Sequence, residues 1–122
     1  SIEELEKMTS TNDRLTLIIF LSYSGKWAIL QAAKKMALDH PDDIDSVTIE
    51  DFDSYLVTSG IPDPDLIIRT SGEQRISNYL LWQGAYSEFY FTETLWPDFD
   101  KEEFKKALDS YALRDRRYGK VK

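Results

Sequence analysis

The 122 residues contain no cysteine. That excludes disulfides, thiolate zinc sites and cysteine nucleophiles. Histidine is almost as scarce: the single imidazole, His40, precedes Pro41 in a turn-like acidic segment, where a solvated loop residue is expected rather than a general base. Long apolar runs are missing as well. The longest purely aliphatic or aromatic stretch, Leu17 to Leu21, is too short to span a bilayer, so no transmembrane segment is expected. No signal peptide is visible either. The expectation is a cytoplasmic protein, at most peripheral to a membrane. Positive charge is in short supply: 15 Lys and Arg stand against 22 Asp and Glu, a net charge of -7. That balance argues against a general nucleic-acid binder.

What the chain does contain is ordinary globular material, 42% hydrophobic and 30% charged. Three Trp, seven Tyr and six Phe are too many for a disordered segment. The length suffices for one small domain with a core. Charge is unevenly spread. Residues 39–65 hold nine acids and no Lys or Arg, which reads as a solvated face. Residues 114–122 hold Arg114, Arg116, Arg117, Lys120 and Lys122 against Asp115 alone, a tail that could reach a phosphate.

Ser1 to Met8 reads as the end of a helix cut off at its start. Leu15 to Ser22 is an apolar, β-branched-containing run, expected to form a buried strand. Ser24 can cap a helix to about Asp39, with Trp27, Leu30, Ala33 and Ala37 at helical spacing. Thr48 and Asp51 resemble a capping box for a short helix through Leu56, with Ile49, Phe52 and Leu56 on one face. Pro62 and Pro64 break the chain before a second strand, Leu66 to Thr70. A helical turn is expected at Asn78 to Gln83 and a third strand at Glu88 to Thr92. Trp96-Pro97-Asp98 looks like a rigid turn. Asp100 and Glu103 then cap a final helix, with Phe104, Ala107, Leu108 and Tyr111 recurring at one face. Strands alternating with helices imply an α/β fold: part of a parallel sheet flanked by helices. Three strands are few for such a sheet, so the chain is expected to be part of a larger α/β domain.

The chemistry gathers between residues 65 and 88. The run Asp65-Leu-Ile-Ile-Arg69 ends in an arginine, as a buried strand would on reaching a site. A Ser-Gly loop, Arg75, Ser77 and Asn78 follow. Two guanidiniums and a hydroxyl suit a phosphate group, because arginine binds oxyanions through parallel charged hydrogen bonds. Open parallel sheets place ligands at the carboxyl ends of their strands. Structural ion pairs with Glu73 or Asp65 are the alternative for the arginines. Glu88 opens the third strand. A carboxylate beside a phosphate site is a natural Mg²⁺ ligand; pairing with an arginine is its alternative. Tyr79 to Trp82 and Trp96 to Phe99 read as core. Gly25 and Lys26 open a helix whose amino terminus can attract an anion, although the spacing of a Walker loop is absent.

Asp65-Leu-Ile-Ile-Arg-Thr-Ser-Gly-Glu-Gln-Arg-Ile-Ser-Asn-Tyr-Leu-Leu-Trp-Gln83, with Ala85-Tyr-Ser-Glu-Phe-Tyr-Phe91 and Leu95-Trp-Pro-Asp-Phe99, closely resembles the carboxyl-terminal signature of the cis-prenyltransferases, the family of undecaprenyl diphosphate synthase. Ser22 to Trp27 resembles the family's Asn-Tyr-Gly-Gly-Arg-Trp segment, and Arg116-Arg-Tyr-Gly119 its Arg-Arg-Phe-Gly. The resemblance covers nearly the whole chain from about Leu15 and implies the cis-prenyltransferase fold. It also implies addition of isopentenyl diphosphate units to farnesyl diphosphate to make undecaprenyl or another polyprenyl diphosphate, using Mg²⁺. On that resemblance Arg69, Arg75 and Ser77 would bind the isopentenyl diphosphate group and Glu88 would ligate the metal. Arg117 to Gly119 would approach the site across a homodimer interface.

Three departures from the family pattern matter. Gln74 stands where some members have a metal-binding histidine, and a neutral amide is a poor Mg²⁺ partner. Ser22 and Lys26 replace an Asn and an Arg. The amino-terminal Asp-Gly-Asn-Gly-Arg-Trp-Ala loop, with its essential aspartate and farnesyl diphosphate site, has no counterpart here: Gly25 to Ala28 mimics only its end. Residues 1–122 are therefore expected to be the carboxyl-terminal half of a single cis-prenyltransferase domain, inactive alone and with no catalytic residue of its own. The alternative is a non-catalytic, prenyltransferase-like subunit that binds a catalytic partner. Such a subunit has no need of Arg69, Arg75, Ser77 and Glu88 together. A third reading, an acidic protein-interaction module, rests on net charge alone.

Overall fold

The computed structural model describes residues 1–115. The order of elements is α1 (Ile2–Thr9), α2 (Gly25–Asp39), α3 (Ile49–Tyr55), β1 (Leu66–Arg69), β2 (Glu88–Phe91) and α4 (Lys101–Ala112), with 3₁₀ turns at Ile44–Ser46 and Trp96–Asp98. β1 and β2 pair in parallel, Leu66 opposite Glu88 and Arg69 opposite Phe91. α2 packs on α3, and α4 lies against β2. The result is an α/β arrangement of parallel strands flanked by helices, as the alternation of elements predicts.

Helix starts follow local side-chain chemistry. Asp51 N–H donates to Thr48 Oγ1 (3.1 Å) and Thr48 N–H donates to the Asp51 carboxylate (2.9 Å), closing the expected capping box. Asp100 Oδ1 accepts from the amides of Glu102 and Glu103 at 2.9 and 3.0 Å. Glu103 does not complete a second box. Its carboxylate instead accepts the Thr94 hydroxyl (2.9 Å) and pairs with the Lys106 ammonium. At the other end of the chain α1 carries its own cap: Glu4 N–H donates to Ser1 Oγ at 3.3 Å.

Three expectations change. Leu15 to Ser22 forms no strand. Among the described residues it makes no ladder bonds, and Leu15, Leu17, Ile19 and Leu21 stand in solvent. Apolar β-branched composition favours a pleated surface, but a strand exists only where a neighbour supplies the ladder. The sheet thus has two strands rather than three among the described residues.

The inward face of α2 is also different. Gly25, Ala28 and Ala32 are buried, whereas Trp27 and Leu30 are exposed. Close approach of neighbouring backbone selects the smallest side chains, and the bulky stripe is left outside. On α3 the buried end is Leu56, while Ile49 is exposed. On α4, Ala107 alone is buried; Phe104 and Leu108 keep nearly half of their surface.

Thirdly, Asn78 to Gln83 starts left-handed, and a single α-type turn forms only at its end. Ser77, Asn78 and Leu80 all have positive φ (50°, 63° and 43°), the left-handed region. The segment is a series of turns closed by Gly84 N–H donating to the Leu80 carbonyl at 2.8 Å. Two contacts fix it against α3 and the chain that follows. Trp82 lies on Phe52 with ring centroids 4.7 Å apart, and its Nε1 donates to Asp53 (2.6 Å). Gln83 Nε2 donates to Thr58 Oγ1 at 2.8 Å, between two largely buried side chains.

Candidate functional site

Arg69 is the last residue of β1, and the turn that follows leaves from the carboxyl edge of the parallel pair. Ser71 and Gly72 are left-handed (φ 67° and 68°). Their amides donate to the carbonyls of Thr94 and Thr92, both at 2.9 Å, so the loop after β1 lies on the loop after β2. Glycine suits the left-handed backbone at position 72, and the Glu93 carboxylate lies against it: a Cβ there would meet Glu93 Oε2 at 2.5 Å, so Glu93 would have to swing aside. Glu93 therefore shares this edge with Arg69.

The loop then carries Arg75 and Ser77 outward. Arg75 pairs with Glu73, as the structural alternative for the arginines anticipates. The Arg75 side chain nevertheless keeps 66% of its surface, so this pair is screened by solvent and weak. Ser77 is exposed and Arg69 half-buried. Arg69, Arg75 and Ser77 thus belong to one strand-end and the loop it feeds.

Glu88 is placed differently. It opens β2 opposite Leu66, three residue pairs from the Arg69–Phe91 pair. At about 3.3 Å per residue, roughly 10 Å of strand separates the two levels. Its carboxylate is engaged by Arg114 Nη1 at 2.8 Å, so the arginine pairing is what this structure contains. Among the described residues, no group of three His, Asp or Glu side chains could hold a metal by itself. The tail Arg116 to Gly119 lies outside the described residues.

Asn78 is the residue that motif reading passed over. Its carbonyl accepts Gly25 N–H (2.8 Å), its Oδ1 accepts Lys26 N–H (2.9 Å), and its Nδ2 donates to Ser24 Oγ (2.8 Å). Ser24 Oγ in turn accepts Trp27 N–H at 3.3 Å. The first three amides of α2 are all taken, so its amino terminus is not an open anion site as the glycine and lysine there suggested. The available signal was an Asn, the residue that most readily adopts positive φ after glycine, directly after the loop serine. Beside this junction Tyr79, Tyr23 and Phe20 stack edge to face with centroids 4.9 to 5.9 Å apart. The Tyr23 hydroxyl is buried there with no hydrogen-bond partner among the described residues.

A cleft among the described residues lies elsewhere. Glu50, Asp53 and Asp63 contribute to its lining, together with Leu56, Thr58 and Gln83. Its acidic wall would repel a diphosphate. No helix among the described residues is long and apolar enough to cross a membrane.

Residues 1–119 match the family described as "Putative undecaprenyl diphosphate synthase". The chain is 51% identical over 121 residues to the isoprenyl transferase of Agrobacterium fabrum, covering 97% of this chain and 49% of that protein. It is 50% identical over 121 residues to the (2E,6E)-farnesyl-diphosphate-specific ditrans,polycis-undecaprenyl-diphosphate synthase of Coxiella burnetii, covering 97% of this chain and 51% of that protein. Among solved structures, lavandulyl diphosphate synthase from Lavandula x intermedia, in complex with dimethylallyl diphosphate, superposes with a TM-score of 0.88 at 38% identity. That match covers 98% of this chain and 52% of the other. The chain spans about half the length of the curated relatives it matches. It belongs to the undecaprenyl diphosphate synthase family, the cis-prenyltransferases.

Proposed function

We propose that this chain is the carboxyl-terminal half of a cis-prenyltransferase domain and supplies the isopentenyl diphosphate side of its site. The observation that carries the reading is Arg69 at the carboxyl end of a parallel strand, continuous with a loop bearing Arg75 and Ser77. Arg69 and Arg75 hold the diphosphate through charge-assisted hydrogen bonds, and the Ser77 hydroxyl adds a third donor. Arg75 gives up a solvent-screened pair with Glu73 to do so. The allylic co-substrate is farnesyl diphosphate, for which the Coxiella relative is specific by name. The product is a polyprenyl diphosphate such as undecaprenyl diphosphate, and the intact enzyme is a homodimer.

Mg²⁺ fits the donor chemistry only in part. Glu88 offers one carboxylate, with a side chain 25% exposed, and Arg114 already engages it. One carboxylate suits Mg²⁺ when diphosphate oxygens and water complete the shell. Glu88 would hold that complex on exchanging Arg114 for it. When bound, the ion would stabilise negative charge on diphosphate oxygens.

Calorimetric titration of isopentenyl diphosphate into the chain tests the reading. Binding is expected, and Arg69→Ala or Arg75→Ala should weaken it by about tenfold or more, the weight of a hydrogen bond to a charged group. Unchanged affinity in both variants refutes the assignment. The chain alone is expected to incorporate no radiolabelled isopentenyl diphosphate, and turnover should return when the separately made upstream half is added.

A further inference from the structure

We propose that Asn78 is a positioning residue: it fastens the loop carrying Arg75 and Ser77 to the first turn of α2, and so sets where those two side chains meet a diphosphate. The proposal rests on the diphosphate reading of that loop and adds to it the part that aims it.

Three observations support the role. The clamp is tight on both sides. Asn78 accepts two of the first amides of α2 and donates to the Ser24 cap, across more than fifty residues of sequence. Gly25 permits this approach, since a Cβ there would lie 2.9 Å from the Asn78 carbonyl oxygen. Next, Ser77 and Asn78 are consecutive left-handed residues that are not glycine. Such backbone persists only where surrounding contacts over-determine it. The Asn78 side chain supplies those contacts, and Ser77 inherits its direction from them. Finally, Tyr79 packs on Phe20 and Tyr23, the residues just before Ser24, so the same two segments are joined again one residue further on.

A residue that only stabilises the fold would behave differently from one that aims the loop. Asn78→Gly separates the two. Glycine keeps the left-handed backbone and the carbonyl that accepts Gly25 N–H, and removes only the side-chain bonds. Ser24→Ala cuts the clamp from the α2 side. Inorganic pyrophosphate titrated calorimetrically into the chain should bind each variant about tenfold more weakly with the number of sites unchanged. Combining the variants should add little, because both break one unit. Full wild-type affinity in Asn78→Gly overturns the proposal, as does a loss of sites at unchanged affinity. Strictly additive losses overturn it too.

Amide spectra of ¹⁵N-labelled chain give a second measurement that needs no ligand. Ser24→Ala should shift the Arg75 and Ser77 signals, although neither residue is near Ser24 in sequence. Signals that stay in place overturn the clamp. Wild-type chain that ignores pyrophosphate overturns the diphosphate reading on which the aiming role rests, and the spectra then decide the clamp separately.

Discussion

Arg114 ties the end of α4 to the start of β2, donating through Nη1 to Glu88 and through Nη2 to the Phe89 carbonyl, both at 2.8 Å. The pair is part-exposed, 39% and 25% for the two side chains, so it adds at most about 1 kcal/mol to stability. Its weight falls instead on the availability of the Glu88 carboxylate. Arg114→Ala should lower the Mg²⁺ concentration at which pyrophosphate binding saturates, and Glu88→Ala should raise it. Three superimposable Mg²⁺ titrations would remove Glu88 from the metal site.

Gly25→Ala should destabilise the fold by about 1–3 kcal/mol, the cost of overpacking a tight junction. The new methyl would sit 2.9 Å from both the Asn78 carbonyl oxygen and Leu81 Cγ. Leu81 can turn away, whereas the carbonyl cannot. Chemical denaturation of the two proteins measures the difference, and equal midpoints would show that the loop yields freely.

Tyr23→Phe should leave stability unchanged or raise it. The hydroxyl is buried without a partner among the described residues, and such a group carries a desolvation penalty of about 1–3 kcal/mol. The ring contacts with Phe20 and Tyr79 are kept. A clear fall in melting temperature would reveal a partner for that oxygen.

Acid should weaken the fold through two capping and pairing carboxylates. The Thr48 backbone amide, then its hydroxyl, hold the Asp51 carboxyl below its ordinary range; Lys106, then Thr94, do so for Glu103. A depressed carboxyl favours folding while ionised. Its contribution is present above the unfolded pKa of about 4 and is lost as pH falls through the lower folded value. Asp63 has the opposite sign, because burial, then Asp53, raise its pKa. Its contribution disappears as pH rises through the folded value. Melting curves should therefore show Asp51→Asn destabilised at pH 7 and Asp63→Asn stabilised there, with both differences shrinking near pH 3.

Self-association is expected at high micromolar concentration. Leu15, Leu17, Ile19, Leu21 and Trp27 present a large apolar surface to water. Sedimentation across a concentration series should show a dimer or larger species. A monomer throughout would contradict it. Truncation after Leu113 then asks whether the basic tail holds the subunits together or serves the substrate.

Local chemistry was legible in the sequence. Ser24, Thr48 with Asp51, and Asp100 cap the helices they announce, and both strands fall within one residue of their expected ends, because caps and strand boundaries depend on near neighbours. Leu15 to Ser22 failed as a strand because hydrophobicity states a preference and cannot name a ladder partner. The left-handed residues Ser77, Asn78 and Leu80 include no glycine, so Asn78 alone marks the segment in composition. In the site, Arg69 at a strand end was readable. Glu88 was expected beside that site, whereas parallel pairing sets it, the first residue of β2, at the far end of the strand pair from Arg69. The Arg114 pair spans 26 positions and leaves no local trace.

Gln83 and Thr58 are both more than nine-tenths shielded from water and bonded to each other at 2.8 Å. Losing either partner alone strands a polar group in the interior. Two apolar residues of matching bulk would fill the same space without that penalty. A substitution at position 58 or 83 alone should therefore cost more than a compensating change of both. The pair ties the stretch after α3 to the turn before β2 in space.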